Sequence, residues 1–335
     1  MTRLSTGRKS PICSVNFMMR KGIFSGDGLL NLDKPPGPTS HDVVAAVRRM
    51  TRVARVGHAG TLDPQASGVL LIGLGKGTRL VQFLHELPKT YRATLQLGIR
   101  TDTHDAEGRI VAVRPVGSLS PQTVERVLAS FHGTIEQIPP MFSALKQQGE
   151  RLYTLARQGI EVERQPRRVR IFRLVLESLA PESLRLEVEC SGGTYIRVLA
   201  DDIGERLGCG AHLSALVRTA VGSFTAERAL SLAALEEAAR QGAWQRHLIP
   251  LGEAMAMFQA VVVTPSAAQA LAHGVPPTAP DVSRMEGSFE VGDTVAIRTA
   301  DGTLLAVGEA LCRSVEVLAR PAGAGIIRLR RVLVE

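Results

Sequence analysis

Cysteine is scarce and shows no pairing pattern. The 335 residues contain four, Cys13, Cys190, Cys209 and Cys312, and none are spaced as Cys-x-x-Cys. Cys209 and His212 have a ligand-like gap, but no second close pair completes a zinc site. A disulfide scaffold is excluded, no metal site is expected, and reduced thiols in a cytoplasmic protein are anticipated. Long hydrophobic runs are also missing. No stretch reaches the ~18 uncharged apolar residues of a membrane span. The longest candidate, residues 69–74, is strand-sized, so no membrane association is expected. Common catalytic signatures are absent as well. Residues 73–78 (Gly-Leu-Gly-Lys-Gly-Thr) imitate a phosphate loop, but that pattern needs Gly where Leu70 stands and Ser or Thr where Gly77 stands. Neither Gly-x-Ser-x-Gly nor His-Glu-x-x-His occurs, which removes the familiar hydrolase classes.

What is present is an ordinary globular mix of 44% hydrophobic and 21% charged residues, long enough for about two domains. The net charge of +8 is unevenly spread. Residues 1–21 hold Arg3, Arg8, Lys9, Arg20 and Lys21 and no acid, leaving 35 basic against 32 acidic residues in the body. A flexible basic tail is expected at 1–21. The body's small excess fits a polyanionic partner only weakly. Arginines number 34 against six lysines, with no lysine after Lys146. Guanidinium forks suit phosphate, although an arginine bias across the source genome accounts for the same split.

Residues 28–33 predict a short strand, and residues 34–38 (Lys-Pro-Pro-Gly-Pro) a rigid turn. Thr39 and Asp42 carry an N-capping signature. Val43, Val44, Val47 and Met50 then form one helical stripe. A glycine-punctuated loop, residues 57–64, precedes a buried strand over 69–74. Residues 91–98 alternate, with Tyr91, Ala93, Leu95 and Leu97 on one face. Ser120-Pro121 opens a helix. Leu184, Leu186, Val188 and Cys190 mark a second amphipathic strand, and a helix is predicted over 194–207 before the stop at Gly208. Without a βαβ rhythm, these elements argue for an α+β fold with a largely antiparallel sheet. From about residue 261 a short helix begins at Thr264-Pro265. Short strands follow over 289–291, 294–298, 304–307 and 326–334, with a hairpin turn at Asp301-Gly302. A small β-rich domain is expected there.

Three residues are chemically suggestive, and each has a plain alternative. Asp63 precedes Pro64 in the glycine-rich loop, where a carboxylate at the mouth of a buried strand can act as nucleophile or base; it can equally start a turn, and His58 can be an ordinary loop histidine. Tyr91 points to the apolar face and reads as a core tyrosine. Arg197 lies one turn into its helix, where a lone arginine usually faces solvent. Tyr195, two residues away, points to another side of that helix.

Taken together, the blocks carry a resemblance. Residues 28–35 (Gly-Leu-Leu-Asn-Leu-Asp-Lys-Pro) with Thr39-Ser40, and residues 57–68 (Gly-His-Ala-Gly-Thr-Leu-Asp-Pro-Gln-Ala-Ser-Gly), resemble the TruB family of tRNA pseudouridine synthases. So do Lys89-Thr90-Tyr91-Arg92, residues 98–105, residues 137–146 (Gln-Ile-Pro-Pro-Met-Phe-Ser-Ala-Leu-Lys), Gly193-Thr194-Tyr195-Ile196-Arg197 and Cys209-Gly210-Ala211-His212-Leu213. The likeness runs in order from 28 to 218. Residues 261–335 resemble a PUA RNA-binding domain through Gly274, Phe289, Val291-Gly292-Asp293-Thr294-Val295 and Val307-Gly308.

The resemblance implies a mixed, largely antiparallel central sheet with flanking helices over 22–260, the pseudouridine synthase fold, and a PUA-like domain over 261–335. It implies conversion of uridine 55 in the tRNA T-loop to pseudouridine, without cofactor or metal, by a cytoplasmic enzyme expected to act as a monomer. Asp63 would be the nucleophile or base, Arg197 its ionic partner, and Tyr91 the residue stacking on the flipped base and transferring a proton. His58, Tyr195, Leu216 and Lys34 would contact substrate, with Arg48, Arg49 and Arg92 as further phosphate candidates. Family members often show consecutive arginines after the leucine matching Leu216. Here Leu216-Val217-Arg218 stands instead, so one RNA contact is expected to be missing. A guide-RNA-dependent relative would be expected to carry partner-binding extensions, which the 21-residue tail poorly supplies.

Overall fold

The computed structural model describes residues 26–143, 145–147 and 149–334; the basic tail and Cys13 lie outside the described residues. Two sheets organise the chain. Eight strands of the larger sheet follow the order Leu230–Ser231, Gly28–Lys34, Ser67–Leu74, Ala211–Val221, Lys89–Leu97, Ser183–Cys190, Arg167–Ala180, Gly133–Gln137. Most neighbours are antiparallel, and Ser67–Leu74 runs parallel to Ala211–Val221.

The sequence patterns follow from what covers each face. Within the strand Ser67–Leu74, residues 68–74 carry no polar side chain because both faces are buried there. Leu70 and Ile72 pack with Leu30 and Leu32 beneath Val43, Val44 and Val47 of the helix Ser40–Thr51. Val69 and Leu71, pointing the other way, join Leu29 in a cluster that includes Ala296, Leu304 and Val307 of the second sheet. Lys89–Leu97 alternates because only one face meets a core, under the helices Pro121–Ala129 and Ile196–Arg206.

Thr39 caps its helix in a reciprocal box with Asp42. The glycine-rich stretch at 73–77 answers to close packing. A Cβ on Gly77 would lie 2.1 Å from the Gly28 carbonyl oxygen, so only glycine lets the two backbones meet.

The smaller sheet has the order Val282–Glu286, Ala260–Val263, Thr294–Arg298, Leu304–Ala310, Ile327–Val332, and its own apolar core. It is held against the larger sheet by the shared cluster, by Arg79 Nη1 donating to the Val332 carbonyl (2.8 Å) and by Arg298 Nη2 donating to that of Met255 (2.5 Å). The predicted strand at 289–291 is loop instead. Phe289 is buried, but its backbone bonds Ser314 rather than a neighbouring strand. The helix predicted over 194–207 spans Ile196–Arg206, with Tyr195 as its N-cap.

Candidate active site

The site forms where the loop after Val56–His58 meets the start of the helix Ile196–Arg206. The loop is pinned from several sides. Ser40 Oγ accepts from the Leu62 amide (2.9 Å) and donates to the Leu62 carbonyl (3.1 Å). The Gly37 amide donates to the Pro64 carbonyl at 2.8 Å. Lys34 Nζ donates to the carbonyls of Pro35 (3.0 Å), Pro64 (2.9 Å) and Ala66 (2.7 Å). Arg218 donates to Val69 (2.7 Å) and Gly60 (3.1 Å), with the Thr61 carbonyl at 3.5 Å. This scaffold holds Asp63 in place before any substrate arrives.

Arg197 is buried, against the plain solvent-facing reading of a lone arginine and in keeping with the ionic pairing that the resemblance implied. Its Nε lies 2.9 Å from Asp63 Oδ2 and its Nη2 3.3 Å from Oδ1, the forked geometry that a guanidinium offers a carboxylate. The same side chain reaches the Phe142 carbonyl (3.0 Å), the Thr103 carbonyl (3.4 Å) and Asp105 Oδ2 (3.5 Å). Its side chain is 6% exposed and that of Asp63 44%, so the pair has a buried cation behind an accessible anion. Desolvation by the site walls pushes the Asp63 carboxyl above the ordinary carboxylate range. Arg197 pulls it back, and Asp105 and Glu107 add to the rise.

Gln137 fixes the helix start by gripping the Tyr195 backbone: its Oε1 accepts from the Tyr195 amide (3.0 Å) and its Nε2 donates to the carbonyl (3.2 Å). The Tyr195 side chain is half-buried, and burial raises its phenol. Tyr91 is 7% exposed within the central apolar cluster, beside Leu62 and Ala66. Burial raises its phenol, and Arg218 opposes the rise. Leu216 is partly buried against the same cluster. His58 meets the His41 ring edge-to-face at 5.9 Å. Burial, then the nearby His41 and Arg218, pulls its imidazole down to about 4, so it is neutral near pH 7.

The structure thus brings Asp63, Arg197, Tyr91 and Tyr195 into one neighbourhood, and one expectation needs correcting. Lys34, expected to touch substrate, is fully buried and spends its donors on the loop it supports. Burial lowers its ammonium to about 8. Arg218 is enclosed beneath the loop and Tyr91, a role that the reading of a missing RNA contact overlooked. The phosphate candidates Arg48, Arg49 and Arg92 are exposed, Arg92 being paired with Glu177 at 2.9 Å. Lys89 was also missed. It is buried, donates to the carbonyls of His85 and Leu87, and is lowered by burial to about 8. Among the described residues, no three His, Cys, Asp or Glu side chains gather as a metal site would require.

Comparison with known proteins gives this arrangement its class. Residues 48–196 match the N-terminal domain of TruB family pseudouridylate synthases, residues 197–256 the tRNA pseudouridylate synthase B C-terminal domain, and residues 259–333 a PUA domain. The molecule is a pseudouridine synthase fold carrying a PUA domain. A protein of Geobacter sulfurreducens named tRNA pseudouridine synthase B is 45% identical over 285 residues, 85% of this chain and 94% of its own. One of the same name from an Azoarcus species is 48% identical over 249 residues, 74% of this chain and 82% of its own. A chain from the crystal structure of a Cbf5-Nop10-Gar1 complex superposes with a TM-score of 0.77 at 31% identity, covering 92% of this chain and 86% of that one. The chain belongs to the TruB family of pseudouridylate synthases.

Proposed function

We propose that the protein isomerises uridine 55 in the T-loop of tRNA to pseudouridine, with Asp63 as nucleophile or base. The observation that supports this most directly is the forked Arg197–Asp63 pair, buried on the arginine side and open on the carboxylate side. In the reaction the N1–C1′ bond breaks, the uracil turns, and C5 bonds to C1′. The C5 proton leaves and N1 gains one, so no atom is added or lost. A carboxylate that must attack or take a proton has to be ionised although the site walls partly desolvate it, and Arg197 favours that state. Tyr91 stacks on the flipped base, whose removal from the T-loop costs a few kcal/mol, and its hydroxyl serves proton transfer. Tyr195 and Leu216 complete the pocket wall. His58, neutral at physiological pH, meets the RNA where the base departs as an uncharged hydrogen-bonding ring. The family relatives named tRNA pseudouridine synthase B support tRNA as the substrate class.

The test is incubation of the purified protein with unmodified tRNA transcript, followed by carbodiimide primer extension. A stop at position 55 with no added guide RNA is the expected result. Modification elsewhere, or only when a guide RNA is supplied, overturns the reading.

A further inference from the structure

Arg218 is the largest side chain in the described protein that is fully enclosed. Its strand, Ala211–Val221, runs between Ser67–Leu74 and Lys89–Leu97, and its Cα partners are Gly68 on one side and Tyr91 on the other. The contact with Gly68 is backbone to backbone. Gly68 has φ +98°, and a Cβ there would lie 2.2 Å from the Arg218 carbonyl oxygen. The guanidinium is therefore held by a fixed backbone. From that position it reaches the carbonyls of Gly60 and Val69, at 3.1 and 2.7 Å, and as the cross-strand partner of Tyr91 it adjoins that side chain closely enough to oppose the rise of its phenol.

These partners carry the argument. Arg197 is buried with a carboxylate, whereas Arg218, among the described residues, bonds only carbonyls and has the phenol of Tyr91 as its cross-strand neighbour. Burial of a guanidinium without an ionic partner is energetically costly. Carbonyls alone could be satisfied by a neutral donor. The phenol is different, because a hydroxyl that exchanges protons with a substrate passes through a state of negative charge. In an apolar pocket that state is strongly disfavoured unless a cation adjoins it.

Resting on the proton-transfer role read for Tyr91, we infer that Arg218 is a positioning residue that holds the Tyr91 hydroxyl in register with the Asp63 loop and stabilises the phenol oxygen while its proton is displaced. The proton accounting closes. The phenol hands a proton to one atom of the base and takes one from another, ending as it began, and the guanidinium keeps its own protons throughout.

The chain has only three tyrosines, so phenol ionisation can be followed by ultraviolet absorbance and the Tyr91 component identified by its loss in Tyr91→Phe. In Arg218→Lys that component should move upward by about one pH unit. With tRNA, kcat should fall at least about thirtyfold while KM stays within about threefold. In a Tyr91→Phe background the same change should cost less than about threefold, since the group it serves is gone. An unmoved Tyr91 ionisation in folded Arg218→Lys, or equal losses in the two backgrounds, overturns the inference. A second measurement leaves position 218 intact. In wild-type protein with 13Cζ-labelled arginine, one arginine resonance should shift as Tyr91 ionises and stay still in Tyr91→Phe; absence of that linked shift also overturns the inference. Both spectroscopic readouts need no turnover, so they fail or succeed independently of the assigned reaction.

Discussion

The two lobes treat charge in opposite ways. Around the Asp63 loop, Lys34, Lys89, Arg197 and Arg218 are all buried. In residues 260–334, among the described residues, the only buried polar side chain is Ser314, and Arg328, Arg330 and Arg331 lie exposed along the last strand. Enclosing a charge costs several kcal/mol unless partners compensate. The first lobe bears that cost around Asp63 and Tyr91, the carboxylate and phenol proposed to do the chemistry. The second keeps charge in water, where it can meet phosphates but fix little else. The comparison predicts that substitutions in the first lobe alter rate or folding, and those in the second alter affinity and its salt dependence.

The sharpest test of the buried side is Asp63→Asn, which keeps the shape and removes the charge. Turnover should fall at least about ten-thousandfold, while tRNA binding by filter retention changes little, since phosphate contacts supply most affinity. Activity within tenfold of wild type would end the assignment of Asp63.

Next is Arg197→Lys, which keeps the charge but loses the fork. A rate loss of about a hundredfold is expected, ~2.7 kcal/mol of barrier. The sign of the pH effect follows from Asp63. The carboxylate must be ionised, burial raises its proton affinity and Arg197 opposes the rise. Activity therefore falls as pH drops through the Asp63 ionisation, and weakening its partner should move that acid limb of kcat/KM to higher pH. Thermal stability lost in proportion to rate, with the limb unmoved, would make Arg197 a structural residue only.

Lys34→Met separates the two lobes' uses of a cation within one lobe. A surface phosphate contact would lower the salt slope of tRNA binding. The buried staple should instead lower stability by about 2 kcal/mol, read as a drop in Tm, with the salt slope unchanged. The Lys34 ammonium is depressed to about 8 from 10.5 by burial. Between those values the unfolded chain binds more protons than the folded one, so stability rises with pH across that window. Lys89, depressed to about 8 as well, contributes in the same direction. Removing Lys34 should flatten the rise without abolishing it.

Much of this was legible in sequence, and what escaped shares a physical cause. The Thr39–Asp42 cap, the apolar stretch at 69–74 and the alternation after Lys89 are local patterns, and each formed as read. The strand Ala211–Val221 was missed because bulges at 213/215 and 218/220 break its alternation. Arg167–Ala180 was missed because its many exposed positions, arginines among them, hide the buried Val169 and Ile171. Lys34 was misplaced, and Arg218 passed over, for a different reason. A cation bound for solvent and one bound for backbone carbonyls are spelled alike, and only the tertiary approach of residues 60–66 tells them apart. The pairing of Arg197 was not legible in its own helix, where a lone arginine reads as solvent-facing, because its carboxylate stands 134 residues away in sequence; only the resemblance pointed to it.

The smallest expected effect tests the exposed side of the comparison, and the fold decides how to make it. Deleting residues 260–334 is a poor test, because Leu29, Val69 and Leu71 would lose Ala296, Leu304 and Val307 and expose an apolar face. A point change is cleaner. Arg328 and Arg330 are partly neutralised by Glu309. Arg331 lines a groove of about 450 Å³ between the lobes with Arg79 and His85. Arg331→Gln should weaken tRNA binding roughly two- to fivefold and reduce the slope of log affinity against log salt by about 0.7–0.9, the loss of one phosphate contact. The single-turnover rate at saturating enzyme should stay within about twofold, because nothing near Asp63 has moved. An unchanged slope would place Arg331 away from the RNA. A large fall in the saturated rate would show that the exposed charges of the second lobe also help build the site, and the division between the lobes would have to be given up.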